Sequence, residues 1–382
     1  MSRTCDVVVA GGSIAGLTFA SEAAKRGLSV IVAEEHPEIG EPEKCDGLVS
    51  LRGLRKYGYL PEGGVVQDQI SAAILHSPSG KRLTVNAAAL DVVVLDRSAY
   101  DIQVGAAALA AGAEVMTGSR VGDVRELGDA VRVSVGNEDV QAKLLVDATG
   151  PASSPRRGIL PAAKYEVEGD WIRQHVVEVF LDAKKYPGYF AWVIPFGKRR
   201  AKVGAAGYGV SPFRALDSFL EGRSSTVLRK VSAPIYVGGP AQSFVRGRRV
   251  YVGESAGQVK PTTAGGIMTS IAGAVAAAKW VSSSILEGRP SLVEHYQKEW
   301  ESDFLNEMRV MLRLRGVFEK LSNHDLEAVL SVLASPRLVK KLSQTDFDFH
   351  ASALIGSLGM PGLLKIASVG VSAEVRSLLL ER

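Results

Sequence analysis

Gly11-Gly12-Ser13-Ile14-Ala15-Gly16 follows an apolar run, Cys5–Ala10, and leads into a helix-forming stretch, Leu17–Arg26. After Gly27 a second apolar run, Ser29–Ala33, ends at Glu34. This order of residues can hold a dinucleotide. Glycines let backbone N–H groups close on a pyrophosphate, and the helix that follows presents its positive end. An acid closing the second strand accepts hydrogen bonds from a ribose hydroxyl. Gly11 permits the tight turn, Gly12 the approach of backbone to phosphate, and Gly16 the close packing of helix on strand. Ser13 stands where the G-x-G-x-x-G pattern has its middle glycine; it stays small and adds a hydroxyl.

A second segment of the same kind lies far along the chain. Val250-Tyr251-Val252-Gly253-Glu254-Ser255-Ala256-Gly257 reads as a strand ending in glycine and acid, and Pro261, Gly265, Gly266 and Ile267 then open a long helix. Glu254 can bond a ribityl hydroxyl. A helix N-terminus at Gly266-Ile267 can face the electron-rich pyrimidine edge of a flavin. Two such segments at opposite ends of one chain point to FAD rather than NAD.

The elements between them are legible in outline. Leu51–Tyr59 and Arg97–Ala111 read as helices, the latter stopped by Gly112. Ile70–His76 and Lys81–Asn86 flank Ser77-Pro78-Ser79-Gly80 as a hairpin. Val92–Leu95, the Arg97 helix and Ala113–Met116 suggest a second βαβ-like unit. Val121–Val135 and Gln141–Val146 alternate as a small meander that ends in Asp147-Ala148-Thr149-Gly150. From Tyr165 to Val237 the period becomes two, with strands expected at Trp171–Asp182, Tyr189–Pro195 and Arg200–Tyr208. Arg248–Val252 returns as a buried strand before the helix Gly266–Leu286. From Pro290 the chain is mostly helical, broken at Pro336 and at Gly359-Met360-Pro361-Gly362. The expected fold is α/β: a Rossmann-like FAD-binding domain, an inserted antiparallel β-sheet substrate domain and a helical C-terminal region. The expected division assigns 1–69, 87–160 and 245–289 to the FAD-binding domain, 70–86 and 161–244 to the substrate domain, and 290–382 to the helical region.

Bulk properties narrow the function. The chain has 382 residues with a net charge of +4, and its Lys and Arg form no block with interleaved aromatics, so nucleic acid is not an expected partner. The mild positive charge suits an anionic cofactor or lipid surface. Two cysteines, Cys5 and Cys45, make no disulfide framework and imply a reducing compartment. The first strand begins at once, with no signal peptide ahead of it. Ala264–Ala278 is apolar but rich in small residues and ends at Lys279, so it reads as a buried helix rather than a membrane span. No metal site is expected.

In family order, the chain carries the N-terminal glycine turn with Glu34, then Lys44-Cys45-Asp46-Gly47, Leu95-Asp96-Arg97-Ser98-Ala99-Tyr100-Asp101, Asp147-Ala148-Thr149-Gly150 and Gly253–Ile267. On these motifs, over nearly its whole length, it resembles the geranylgeranyl reductase family, within the glutathione-reductase-like and aromatic-hydroxylase-like flavoproteins. The resemblance implies FAD contacts at Ala15, Glu34, Cys45, Asp46, Gly47, Leu48, Arg97, Val121, Glu254, Gly266 and Ile267. The family's substrate motif, P-x-x-Y-x-W-x-F-P, reads here Pro187-Gly188-Tyr189-Phe190-Ala191-Trp192-Val193-Ile194-Pro195. Pro187, Trp192 and Pro195 match, Phe190 replaces Tyr, and Ile194 replaces Phe. A hydroxyl moved to Tyr189 would turn to the other face of a strand. Tyr189, Phe190, Trp192 and Ile194 are thus the candidate substrate residues, either the wall of an apolar tunnel or simply a core strand. Glu254 stands where this class has Asp.

The implied activity is FAD-dependent hydrogenation of isolated C=C bonds in polyprenyl chains of membrane lipids or their precursors. The implied electron donor is NADPH or a ferredoxin-type carrier, and no separate NADPH domain is visible. Cys45 is the candidate catalytic side chain, as proton donor or gate of the substrate end, against an inert cysteine in a cofactor loop; Tyr189 and a water are the other proton sources. A cytoplasmic location with peripheral membrane contact follows from such a substrate. Leu363-Leu364-Lys365-Ile366 and Leu378-Leu379-Leu380 form either a membrane-facing element or a helix packed on the substrate domain. Two rivals have other consequences. Gly150-x-x-Ser153-x-x-Arg156 is similar to a motif of the aromatic hydroxylases, although those enzymes carry His where this chain has Gly257. A non-catalytic isoprenoid-binding flavoprotein would bind FAD and lipid but give no mass gain of two on a prenyl substrate.

Overall fold

The computed structural model describes residues 3–150, 158–352 and 355–356. The chain begins β1 (Arg3–Ala10), α1 (Ile14–Ala24), β2 (Val30–Ala33), β3 (Leu48–Ser50), α2 (Leu51–Tyr57), β4 (Val66–Gln69), β5 (Ala72–His76), β6 (Arg82–Asn86), β7 (Val92–Leu95), α3 (Arg97–Ala110) and β8 (Glu114–Met116). It continues through β9 (Val121–Glu126), β10 (Val131–Val135), β11 (Glu138–Asp147), β12 (Ile159–Leu160), β13 (Ala162–Glu168), β14 (Val176–Phe180), β15 (Ala191–Pro195), β16 (Arg200–Ala206), α4 (Pro212–Leu220) and β17 (Thr226–Ser232). It ends with β18 (Ile235–Tyr236), β19 (Val245–Arg246), β20 (Arg249–Tyr251), α5 (Ile267–Leu286), α6 (His295–Phe318), α7 (Asn323–Leu333) and α8 (Pro336–Leu342).

The first sheet runs in the order β19-β20-β11-β1-β2-β8, with β9 and β10 folded back on β11. β1 pairs in parallel with both β2 and β11. Its last four residues and all of β2 are buried, as a parallel strand covered on both faces requires. α1 packs beside α5 and α3 on one face of this sheet. Alanine, serine and glycine supply most of the buried face of α5, so α1 and α5 approach closely; this is why the apolar run read as buried. Among the described residues no helix is long and apolar enough to cross a membrane.

The second large sheet runs β17-β13-β16-β15-β14-β5-β6. The expected hairpin forms between β5 and β6, and β5 pairs with β14 in this sheet. One pairing departs from the antiparallel expectation: β5 and β14 run in parallel, because the chain crosses the first sheet between them. One face of this sheet packs on α4 through Tyr165, Val193, Val203, Leu216 and Phe219.

Three further expectations are corrected. Val92–Leu95 is a strand with the expected ends, but it lies between β3 and β4 in a separate antiparallel sheet, so it forms no βαβ unit with β8, which pairs with β2. Four consecutive buried apolar residues fit either kind of sheet. The expected strand Trp171–Asp182 shortens to Val176–Phe180, and α4 interrupts the stretch of period two. The C-terminal Leu-rich segments, Gly359–Gly362, and Ser153 with Arg156 lie outside the described residues.

Candidate functional site

The glycine turn sits where β1 meets α1. Gly11 has a φ of +101°, and a Cβ there would lie 2.6 Å from the Ala148 carbonyl oxygen. A Cβ on Gly16 would overlap the carbonyl oxygen of Gly11. The turn therefore admits no side chain at either place. The Glu34 carboxylate accepts from the Gly12 N–H at 2.6 Å and from the His36 N–H at 2.9 Å. The Ser13 side chain is exposed and caps nothing, so its hydroxyl is available to a ligand. Val121 opens β9 close by, two residues after Ser119, whose N–H donates to the Glu34 carbonyl.

The second glycine segment lies against the first: a Cβ on Gly253 would come 2.6 Å from the Ala15 methyl. Glu254 is half-buried, and its carboxylate accepts from the Tyr236 N–H at 3.2 Å. Burial pushes its carboxyl up to about 7, against the smaller pull of the Tyr236 bond and the Lys44 charge. The sign of the consequence is fixed. Below the ordinary value of 4.5 the group is protonated in both folded and unfolded chains and costs nothing. Between 4.5 and about 7 the unfolded chain has given up this proton while the folded chain holds it, so stability falls across that window and levels off above it. Glu254→Gln is expected to match wild type near pH 4 and to melt higher by roughly 5 °C near pH 8 in the cofactor-free protein, read by calorimetry. Equal melting at both pH values would show that the carboxyl is not strained.

Pairing of β3 with β7 brings the cysteine loop to the start of α3, with Leu48 opposite Val94. Gly47 is clamped against Leu95, whose N–H donates to the Gly47 carbonyl at 2.9 Å. Arg97 is buried and paired with Asp101 at 2.8 Å. Burial disfavours its cation, but the Asp101 carboxylate and the Cys45 sulfur outweigh that and hold its pKa above the usual arginine value. Its buried Nε has no hydrogen-bond partner among the described residues. Cys45 is exposed, and its sulfur accepts from the Gly47 N–H at 3.5 Å. Cys5 is unlike it: burial and Asp6 push that thiol up to about 12, which leaves it unreactive. Leu48 shares a small cavity with Gly266 and Ile267 at the N-terminus of α5.

Trp192 and Ile194 turn onto the face of the seven-stranded sheet opposite α4, and Phe190, just ahead of the strand, packs beside Trp192. Trp192 Nε1 donates to Asp46 Oδ2 at 2.7 Å, and Ile194 packs in one cluster with Leu48 and Phe347. Tyr189 does not turn to the other face. It precedes the strand, stacks on Phe190 with ring centroids 4.0 Å apart, and shares a cluster with Phe190, Trp192 and Ala264. The period-two argument applies only inside a strand, and this strand begins at Ala191.

The four groups thus converge, and the structure adds members that the sequence reading missed. Lys164, Lys202 and Glu43 are buried between the cysteine loop and the sheet. Gly204 lies opposite both Trp192 and Lys164, and a Cβ there would overlap the indole. Asp348 pairs with Lys260 at 3.0 Å and so fastens the 345–352 segment over the α5 N-terminus. These pairs are distant in sequence, and a lysine at a strand position carries no mark of its burial.

An FAD fits these residues on three counts: a glycine cradle closed to any side chain, a buried guanidinium nitrogen left without a partner among the described residues, and an acid at the end of β2. Comparison with known proteins agrees. Residues 6–167 match the family described as FAD dependent oxidoreductase. A digeranylgeranylglycerophospholipid reductase of Methanothermobacter thermautotrophicus is 31% identical over 88% of this chain and 94% of that one. Another from Methanopyrus kandleri is 29% identical over 95% of this chain and 98% of that one. A geranylgeranyl bacteriochlorophyll reductase-like structure from Thermoplasma acidophilum superposes with a TM-score of 0.87 at 22% identity, covering 99% of this chain and 100% of that one. The fold is therefore that of FAD-dependent oxidoreductases, and the chain belongs to the digeranylgeranylglycerophospholipid reductase family.

Proposed function

We propose that the protein hydrogenates isolated C=C bonds in the polyprenyl chains of a membrane lipid or its precursor. The observation that carries this reading is the apolar row of Tyr189, Phe190, Trp192 and Ile194, which meets the cysteine loop through Trp192 and Asp46 and through Ile194 and Leu48, and packs with Ala264 ahead of α5. In this reading Gly11, Gly12, Ser13, Ala15 and Gly16 cradle the pyrophosphate, and Glu34 and Val121 hold the adenosine end. Arg97, the Cys45–Leu48 loop, Glu254, Gly266 and Ile267 surround the rest of the cofactor. FAD, when bound and reduced, supplies the hydride.

An isolated alkene has no carbonyl to polarise it, so orientation and exclusion of water are what this chain must provide. The aromatic wall does both. A proton must also reach the second carbon. Cys45 is exposed and can be recharged from solvent, whereas burial holds the Tyr189 hydroxyl above its usual range, which makes it the poorer acid. The reading therefore assigns the proton to Cys45. Gly257 disfavours the hydroxylase rival, because any side chain there would overlap the Gly239 carbonyl. A substrate of this class sits in a bilayer, so peripheral membrane contact belongs to the same reading.

The test is anaerobic incubation of a digeranylgeranyl phospholipid with the FAD-loaded protein, with dithionite, NADPH or a reduced ferredoxin as separate arms. Mass spectrometry is expected to find a gain of two hydrogens per double bond, and the arms identify the donor. Lipid unchanged in every arm, or gaining oxygen once air is admitted, would overturn the reading.

A further inference from the structure

The Glu41–Gly47 segment carries three acids, and each meets a base on a different strand of the seven-stranded sheet. Glu41 pairs with Arg229 on β17 at 3.0 Å, Asp46 with Lys164 on β13 at 3.8 Å, and Glu43 with Lys202 on β16 at 2.6 Å. β15 adds the Trp192 N–H to Asp46. These four strands are consecutive neighbours, so the contacts run as one row across the sheet.

Lys164 and Lys202 are each only 1% exposed. Taking an ammonium out of water is unfavourable unless it is well paired, and an apolar side chain of similar volume would pack as well. The lysines do something that such a residue cannot. Lys164 Nζ donates to the Cys45 carbonyl at 2.8 Å, and Lys202 Nζ to the Asp46 carbonyl at 3.3 Å. Two successive carbonyls of the cysteine loop are thus gripped from the substrate sheet. Glu43 completes the arrangement: burial opposes its charge, but Lys202 and Lys164 outweigh that and hold its carboxyl below the usual range.

We infer that Lys164 and Lys202 are positioning residues. They fix the Cys45–Asp46 backbone against the aromatic wall, so that the thiol and the bound chain keep one separation. The inference rests on the reading of that wall as the substrate's. It assigns the lysines no contact with substrate.

The test uses the full chain loaded with FAD, in wild type, Lys164→Met and Lys164→Met/Asp46→Asn. The double variant removes both charges of the pair, so it leaves no lone buried ion and folds where the single change fails. Three quantities are read: amide exchange of a peptide spanning 43–48, the visible absorption band of the bound flavin, and kcat and KM on the prenyl lipid. Exchange in that peptide is expected to quicken on the order of tenfold, because the Cys45 carbonyl loses its tether. The flavin band is expected to shift, and kcat to fall on the order of tenfold or more with KM little changed. Unchanged exchange, or quicker exchange with the band and kcat both unmoved, would overturn the inference and leave the lysines as a staple between two sheets. A wild type that binds FAD but reduces no prenyl lipid would end the functional reading alone. Exchange and the flavin band would still decide the role of the lysines.

Discussion

Gly204→Ala is expected to slow prenyl reduction on the order of a hundredfold while the protein stays yellow. Gly204 lies in β16, in register between Trp192 of β15 and Lys164 of β13. The added methyl would overlap the indole of Trp192. β16 is held by ladders on both sides, so its backbone cannot recede, and the indole must move. Its hydrogen bond to Asp46 then breaks and the wall loses its middle member. Overpacking of this kind costs about 1–3 kcal/mol of stability, which a domain of this size survives. A misplacement of about 1 Å in an orienting wall can cost on the order of a hundredfold in turnover, and that is the expected fall in kcat/KM. The glycine turn, Glu34 and Glu254 belong to other elements, so FAD content, read from flavin absorbance per chain, is expected to hold within about twofold. Turnover close to wild type would mean that Trp192 need not stand where the sheet puts it.

This expectation could not be drawn from the residues alone, and the reason is general. β1, α1, β2 and Glu34 are contiguous, so their spacing carries their geometry, and the tight turn at Gly11 and the close packing at Gly16 were legible. Gly253–Ile267 was legible for the same reason. Gly204 is different. It has meaning only because β15 lies beside β16 and its Trp192 is opposite, and register between strands is a tertiary fact. The same limit hid Lys164 and Lys202, whose partners lie more than a hundred residues away. It also misplaced Val92–Leu95, whose four buried residues announce a strand without saying in which sheet. The miss at α4 has another cause. Ser211 caps that helix through the Arg214 N–H and Pro212 takes its first position, so the start signal was present in the chain. The surrounding period of two outweighed it. Tyr189 shows the converse, a period carried two residues ahead of the start of its strand.

Gly16→Ala is expected to yield colourless protein, and Ser13→Gly to change little. The two positions lie in one turn, and the contrast between them tests what the turn is for. A methyl on Gly16 would overlap the carbonyl oxygen of Gly11, and that atom is backbone, so no side-chain rotation relieves it. α1 must then shift off the end of β1. Its first N–H groups are the ones that would meet the pyrophosphate, and their field falls off within a turn of helix, so displacement removes the anchor. α1 is buried against the sheet and α5, so the shift also strains the core, on the order of 1–3 kcal/mol. FAD occupancy after purification is expected to fall to roughly a tenth of wild type or less, a loss of at least about 1.4 kcal/mol in binding. Ser13 lies three residues earlier, exposed, with no cap bond to lose. Glycine there restores the ordinary pattern at the cost of some chain entropy, and occupancy is expected to stay within about twofold. If instead Ser13→Gly releases the flavin and Gly16→Ala keeps it, the serine hydroxyl is the anchor and the helix end is not.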